Sequence, residues 1–359
     1  MNNTTFGGST THRQHLIALD TLRGIAALFI VVGHFGLTTP VLVPYVANAR
    51  LMVDLFFVLS GFAIFYAYND RLGTTRQLAR FVWLRFWRLY PMHFVTLLYF
   101  IAIELAKPLA GLFMSVHHAS FSLGGWKAII VNLTLLQSFN IVPLTFNGPS
   151  WSISSEFYAY LLFAVIALFL RTRTTVLIMS AALSLIATAV LTIYGPAMDW
   201  TFNNGWVRGV AGFFAGVITC GIYLHLRDRV KPGCDVGWVA WLFLLAAIGF
   251  AASGGVGPIW IIPLSAALIL STALSGPEGA IWILVSKPMR WLGTISYSIY
   301  MVHAAIAFAL GHLIESALTR AASIPMQLGL AALYLAAVIG VASLTFVWIE
   351  APVRAWSRR

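Results

Sequence analysis

An apolar stretch near the N-terminus carries two polar side chains of the kinds that bind anions and move protons. Within LRGIAALFIVVGHFGL, Arg23 and His34 are eleven residues apart. At about 100° per residue this is close to three helical turns, so both side chains project from one face, about 16 Å apart along the axis. The arginine either faces a ligand or partner or extends to the lipid headgroups. The histidine is either a base or a hydrogen-bonded packing residue.

Carboxylates in two other apolar stretches are expected at a depth similar to that of His34. MVDLFFVLSGF contributes Asp54 and, near mid-membrane, Ser60; WSISSEFYAY contributes Glu156. A carboxylate on one ring nitrogen of a histidine fixes its tautomer and raises the basicity of the other nitrogen. The pattern therefore predicts a base oriented by a carboxylate, and it leaves the choice between Asp54 and Glu156 open.

Two further stretches add polar groups inside the predicted membrane region. VRGVAGFFAG places Arg208 in the outer half of its span, where it could pair with Asp54 or Glu156. GTISYSIYMVH contributes Tyr297 and a second mid-membrane histidine, His303. Ionisable groups at such depth usually face a cavity, a partner or a ligand.

An arginine-aromatic cluster lies at the opposite end of the predicted spans. In RFVWLRFWRLYP, Arg85 and Arg88 are three residues apart and share a helix face, with aromatic residues between them. The cluster has two interpretations. It is a cytoplasmic anchor with interfacial aromatic residues, or it is a pocket in which arginines hold phosphates and aromatic rings stack on a nucleobase.

The composition indicates the kind of fold that holds these residues in place. Of 359 residues, 60% are hydrophobic and only 9% are charged, whereas soluble domains are nearer half apolar and a quarter charged. We therefore predict an all-α polytopic transmembrane bundle. The net charge of +11 comes from basic residues in short loops, which favours membrane anchoring over binding of nucleic acid.

Ten segments are long and apolar enough to be candidate spans of about 20 residues. They are approximately residues 18–38, 51–68, 91–107, 150–170, 174–194, 206–226, 236–253, 257–275, 293–313 and 327–349. Most Lys and Arg residues then lie on one side, which predicts that both termini are cytoplasmic. Residues 124–146 are interrupted by Asn, Gln and Pro, so we expect an outer loop with a short interfacial or re-entrant helix.

These boundaries predict a cytosolic tail over 1–15, a membrane domain over 16–356 and a short tail over 357–359. The polar N-terminus lacks the features of a signal peptide. No phosphate-binding loop, dinucleotide fingerprint, zinc-protease motif or metal-ligand pattern occurs in the sequence. We therefore expect no metal.

Several of these stretches, in this order along residues 15–356, resemble the acyltransferase-3 family of integral-membrane O-acyltransferases. They are LRGIAALFIVVGHF, DLFFVLSGF, RFWRLYP, WSISSEFYAY, ISYSIYMVH and IEAP. The resemblance implies transfer of an acyl group, usually acetyl, from cytosolic acyl-CoA to a hydroxyl on a glycan or other acceptor at the outer face. Many members carry a further esterase-like domain after the membrane region, and because this sequence stops soon after Glu350 we expect a stand-alone form. Within the family it looks most similar to stand-alone acetyltransferases of exopolysaccharides and other surface glycans.

The resemblance also implies roles for particular residues. The Arg23–His34 pair is the family signature, Arg85 and Arg88 match its basic pair, and Glu156 matches its carboxylate. We expect His34 to be the general base, oriented by Glu156 or by Asp54. The expected donor-binding residues are Arg23, Arg85, Arg88, Ser60, Tyr297 and His303, and the expected acceptor-binding residues are Arg208 and Trp151.

The predicted partners are acetyl-CoA or another acyl-CoA, a glycan or lipid-linked glycan and membrane lipids, at the bacterial inner membrane. Arg208, Tyr297 and Ser60 are candidates for stabilising the oxyanion. A covalent intermediate on His34 or Ser60 stays open as a variant. The alternative function is a secondary transporter, because such proteins also bury charged groups in multi-span bundles; a scaffold subunit is a third reading.

Overall fold

In the computed structural model, all regular structure in the described residues is helical. The described residues are 10–36, 41–69, 71–110, 121–122, 124–170, 172–195, 198–230, 236–253, 258–275, 279–317 and 323–359. The first half of the chain contains α1 (Thr10–Gly36), α2 (Val43–Val46), α3 (Met52–Tyr68), α4 (Thr75–Ala110), α5 (Gly125–Leu133) and α6 (Trp151–Phe169). The second half contains α7 (Arg173–Tyr194), α8 (Gly205–Leu226), α9 (Gly237–Ser253), α10 (Ile261–Leu274), α11 (Lys287–Ala317), α12 (Ile324–Thr345) and α13 (Ala351–Ser357).

The predicted multi-span helical fold is confirmed. Within the described segments, eight helices are long and apolar enough to cross a membrane, and α9 and α10 are shorter apolar helices. Together they match the positions of the ten predicted spans. Large apolar side chains on the outside of the bundle, such as Phe169 and Leu185, are exposed. They suit a bundle whose surrounding solvent is lipid.

Three helices extend well beyond their predicted limits. Helix α11 runs from Lys287 to Ala317, around the predicted span 293–313. Helix α4 continues without a break from Thr75 through Pro91 to Ala110, so the arginine-aromatic cluster and the following span form one helix. A proline is tolerated there because neighbouring helices can satisfy the freed backbone groups. Helix α1 begins at Thr10, inside the segment assigned to the N-terminal tail, and residues 1–9 of that tail lie outside the described residues.

The interrupted segment at 124–146 forms the nine-residue helix α5 followed by turns. A helix of nine residues is too short to span a bilayer. The segment packs on α4, where His93 Nε2 lies 2.9 Å from the carbonyl oxygen of Asn132. Just beyond it, Asn147 donates to the carbonyl of Met301 on α11 at 3.0 Å. The segment therefore connects α4 to α11 beside the polar groups described below.

Helices α1 and α11 run parallel in close contact. The hydroxyl of Thr21 donates to the carbonyl of Leu284, just before α11, at 2.7 Å. A Cβ atom at Gly293 would lie 2.6 Å from the carbonyl carbon and oxygen of Asp20, and one at Gly24 would lie 2.9 Å from the backbone nitrogen of Gly293. Small residues allow membrane helices to approach this closely. The contact sets the register of α11 against the helix that carries Arg23 and His34.

Candidate active site

A cavity of about 450 Å³ lies between α1, α3, α4, α6, α11 and α13. At the end of the bundle that we predict to be cytosolic, its wall contains five arginines: Arg23, Arg85, Arg88, Arg354 and Arg358. Further in, the wall is formed by hydroxyl and apolar side chains of α3, α6 and α11 and by the carboxylate of Glu156. The cavity thus joins a cationic mouth to a mostly neutral interior within the membrane region.

Glu350 forms ion pairs with two of these arginines, Arg88 and Arg354. Its carboxylate is 2% exposed and accepts hydrogen bonds from Arg88, from Ser298 at 2.7 Å and from Arg354 at 3.3 Å. The guanidinium of Arg88 also lies 5.3 Å from the ring centre of Tyr297. A buried carboxylate with several charge-assisted donors connects α4, α11 and α13. The sequence analysis assigned no role to Glu350, although this residue lies in IEAP, one of the stretches that carry the family resemblance.

Arg85 has a different environment from Arg88. Its guanidinium lies 5.7 Å from the ring centre of Tyr68 and 5.9 Å from that of Phe81. Its Nε atom is buried and has no hydrogen-bond partner in the described part of the chain. Because Arg85 lines the cavity and has no carboxylate partner among the described residues, this arginine can bind an anion there.

Arg23 lies at the edge of the same mouth. It forms an ion pair with Asp20 on its own helix at 2.6 Å and is 3.4 Å from the carbonyl oxygen of Leu59 on α3. Both Arg23 and Asp20 line the cavity. The arginine therefore faces the cavity, which favours the ligand interpretation over extension into the headgroups.

A hydroxyl–carboxylate cluster lines the middle of the cavity. Ser60 donates to the carboxylate of Glu156 at 2.5 Å, and Tyr160 donates to the same oxygen. The two hydroxyl oxygens are 2.8 Å apart. The cluster connects α3 to α6, and it places a carboxylate beside a serine hydroxyl inside the cavity. The contacts of Glu156 are with these two residues, and the structure does not bring it to His34.

Asp54 forms a fully buried ion pair with Arg208. Its two carboxylate oxygens accept from Nε at 3.2 Å and from an Nη at 2.6 Å, and neither side chain is exposed. The other Nη of Arg208 donates to the carbonyl of Trp200 at 3.1 Å, and the guanidinium lies 4.9 Å from the ring centre of Trp151. These contacts occupy the arginine, so the pair joins α3 to α8 beside the cavity.

Two aromatic rings stand at the far end of the cavity. The rings of Phe56 and Tyr300 meet edge to face, with centres 5.6 Å apart. The hydroxyl of Tyr300 donates to the carbonyl of Pro149 at 2.9 Å and lies 2.8 Å from the hydroxyl of Ser152. The hydroxyl of Tyr297 donates to the carbonyl of Leu89. All three oxyanion candidates therefore already have an acceptor: Ser60 donates to Glu156, Tyr297 to Leu89 and Arg208 to Asp54. Ser60 and Tyr297 line the cavity, and Arg208 does not.

His34 and His303 lie beyond this aromatic end. Their ring centres are 4.9 Å apart, and the ring centre of His303 is 5.6 Å from that of Tyr300. His34 does not line the cavity; it is exposed near the end of α1, two residues before the helix terminus. Its Nδ1 donates to the carbonyl of Ile30 at 3.0 Å, so a backbone carbonyl fixes its tautomer. Its Nε2 is thereby the nitrogen that can accept a proton.

The sequence model of the acyltransferase-3 family, described as an acyltransferase domain, matches residues 16–349 of this chain. The chain belongs to the acyltransferase-3 family. The resemblance seen in the sequence is therefore confirmed, and the protein is a multi-pass membrane acyltransferase. Membership in this family supports an enzyme over the transporter alternative.

Curated relatives of this acyltransferase include "Protein 2 in picA locus" of Rhizobium radiobacter, which is 32% identical over 49% of the chain and 96% of that protein. The acyltransferase MdmB of Streptomyces mycarofaciens is 35% identical over 32% of the chain and 27% of its own length. The peptidoglycan O-acetyltransferase OatA of Listeria monocytogenes is 25% identical over 95% of the chain and 56% of its own length.

The chain therefore spans about a quarter of MdmB and just over half of OatA. No solved structure gives a significant match to this acyltransferase. The comparisons establish the family and the class of reaction.

Proposed function

We propose that this acyltransferase moves an acetyl group from acetyl-CoA to a hydroxyl of a surface glycan or lipid-linked glycan, across the bacterial inner membrane. The observation that carries the proposal is the cavity, which leads from Arg85 at its mouth to Phe56 and Tyr300 inside the bundle. Such a path suits a donor that is anionic at one end and bears its reactive thioester at the other.

The mouth is suited to the phosphate groups of coenzyme A. No carboxylate in the described segments contacts Arg85, and Arg358 adds a second cation at the cavity edge. Guanidinium groups make bidentate contacts with phosphate. A volume of about 450 Å³ is within the usual range for ligand pockets of about 300–1,000 Å³. The narrow pantetheine arm would extend between α3 and α11.

The inner part of the cavity would receive the thioester. Ser60 and Tyr300 present hydroxyl groups there, while Val53 and Ile153 supply apolar walls. Either hydroxyl would stabilise the oxyanion that forms when an alcohol attacks only after turning from its present acceptor, which is Glu156 for Ser60 and the carbonyl of Pro149 for Tyr300. Glu156 holds the Ser60 hydroxyl and orients it, instead of orienting His34 as we expected from the sequence.

The acceptor would approach from the opposite side, where His34 is exposed. Nε2 of His34 takes the proton of the acceptor hydroxyl as the oxygen attacks the thioester carbon. The carbon–sulfur bond then breaks, the acetyl ester forms, and the proton finally resides on the released thiol of coenzyme A. General-base catalysis of this kind is typically worth about 10²–10⁴-fold. Tyr300 lines the cavity and contacts His303, which in turn contacts His34, so the acetyl end must pass these two rings.

The nature of the acceptor is inferred from relatives and from chemistry. OatA is an O-acetyltransferase of peptidoglycan, and a glycan hydroxyl is a poor nucleophile that needs a base. A donor side and an acceptor side at opposite ends of one bundle fit a glycan that stays outside while the coenzyme stays inside.

Donor binding is tested by thermal unfolding of the full chain in detergent with and without acetyl-CoA. A ligand that binds only the folded state raises the melting temperature with concentration. We expect this shift for the unmodified protein and Arg173→Ala, whose arginine is exposed and outside the cavity. We expect a much smaller shift for Arg85→Ala. No shift for the unmodified protein would contradict the proposed donor.

The base is tested by acetyl transfer in membranes with matched protein abundance. His34→Ala and His34→Gln should lose about 10²–10⁴-fold in kcat, the contribution of a general base. His225→Gln changes an exposed histidine outside the cavity and should retain activity. Near-normal transfer by both His34 variants would remove His34 from this role.

A further inference from the structure

His303 is buried, and one of its ring nitrogens has no partner. Its side chain is 0% exposed, and Nδ1 donates to the carbonyl of Tyr300 at 2.6 Å. Because a carbonyl only accepts, the proton of the neutral ring lies on Nδ1 and Nε2 is left as an acceptor. In the described part of the chain, that Nε2 is buried without a hydrogen-bond partner.

A buried hydrogen-bond acceptor without a partner, such as Nε2 of His303, calls for a physical explanation. Leaving a buried polar atom unpaired costs about 1–3 kcal/mol, and native structures contain few of them. The backbone contact of His303 does not supply the reason, because Tyr334 donates to its main-chain carbonyl at 3.0 Å whatever the side chain is. An apolar side chain would keep that contact and avoid the penalty.

The ring of His34 is the neighbour that can supply the missing donor. The two ring centres are 4.9 Å apart, with 48° between the ring planes. His34 also has its Nδ1 proton directed to a backbone carbonyl, that of Ile30. The neutral pair therefore has two Nε2 lone pairs and no proton between them. At this separation, rotation of the exposed His34 ring permits an N–H···N hydrogen bond once His34 is protonated.

We propose that His303 shares the proton that His34 takes from the acceptor hydroxyl. The inference rests on the proposed function of His34. The O–H bond of the acceptor breaks and its proton joins Nε2 of His34. Rotation of the His34 ring then turns the new N–H from the acceptor oxygen to Nε2 of His303. Sharing stabilises the imidazolium while the acceptor oxygen attacks the thioester. The proton then passes to the leaving thiolate, and both rings return to neutral. His303 is thus a positioning residue that acts through His34.

The first test compares two buried histidines. His303→Gln in the full chain should lower kcat at least about tenfold, part of the 10²–10⁴-fold contribution of the base, with KM for acetyl-CoA unchanged. His93→Gln is the matched control, because His93 is also buried with an unpartnered ring nitrogen but contacts Asn132 instead of His34. An unchanged kcat in His303→Gln would overturn the proposal.

The second test separates proton sharing from a structural role. If His303 acts only through His34, adding His303→Gln to His34→Ala should cause no further loss in kcat. If the loss in kcat of the double variant equals the product of the two single losses, the proposal is overturned, because a packing defect at His303 acts whether or not His34 is present. If His303→Gln does not accumulate, His303→Asn is used in the same cycle. Normal transfer by His34→Ala alone would instead refute the proposed base, so the two failures are distinguishable.

Discussion

His34 and His303 lie at the same level of two parallel helices, each ten residues beyond a glycine at which those helices touch. Gly24 and Gly293 bring the backbones of α1 and α11 together, and equal rise per residue then carries the two histidines to the same height. The ring contact is therefore a consequence of helix register as well as of side-chain choice.

This register leads to a prediction for Gly293→Ala. The new Cβ would lie 2.6 Å from backbone atoms of Asp20, which cannot move aside as a flexible side chain can. Overpacking of this kind costs about 1–3 kcal/mol. We expect a lower melting temperature together with reduced kcat. Gly340→Ala is the control, since nothing lies within 4 Å of a Cβ there. Equal behaviour of the two variants would mean that the contact does not set the register.

The two arginines of the basic pair should have separable roles. Arg85→Ala should raise KM for acetyl-CoA with little change in melting temperature, because Arg85 has no carboxylate partner among the described residues. Arg88→Ala should lower the melting temperature, because buried Glu350 loses a charge-assisted partner. Steady-state kinetics and thermal unfolding measured on both variants check this. Identical effects would indicate that the pair acts as one anion site.

The Asp54–Arg208 pair should act on stability. Removing one partner of a buried pair leaves the other charge uncompensated, which costs about 3–5 kcal/mol. Asp54→Ala and Arg208→Met should each reduce folded protein in the membrane. The double variant Asp54→Leu with Arg208→Met should recover part of the loss, because no buried charge is left.

A second measurement on Arg208→Met distinguishes acceptor binding, the role expected from the sequence, from a structural role in the ion pair with Asp54. If Arg208 binds the acceptor, the KM for the acceptor should rise while the melting temperature stays near that of the unmodified protein. The full set of contacts to Asp54, Trp200 and Trp151 predicts the opposite pattern.

The aromatic end of the cavity should limit the length of the acyl group. Phe56 packs against Tyr300 at the inner limit of the cavity, so Phe56→Ala should admit a longer chain. One methylene is worth about 10–200-fold in discrimination by an apolar pocket. We expect the ratio of kcat/KM for butyryl-CoA over acetyl-CoA to rise at least about tenfold. Phe169→Ala, on the exposed outside of α6, should leave the ratio unchanged.

The sequence by itself determined the helical, multi-span character of this protein and the positions of its polar residues within the spans. Both follow from local hydropathy, since a run of about 20 apolar residues must be helical in a bilayer. It also determined that Arg85 and Arg88 share a face and that Arg23 and His34 share another, because those pairs lie on single helices. The family resemblance was carried by the same short stretches.

The tertiary structure alone decided which polar groups meet. Depth along a span can be counted from sequence, but helix neighbours and rotations depend on packing between segments that are remote in the chain. Equal depth left Asp54 and Glu156 as equivalent partners for His34. Packing of α3 on α8 pairs Asp54 with Arg208, and packing of α3 on α6 brings Glu156 to Ser60. Close contact of α1 with α11 places the ring of His34 against that of His303.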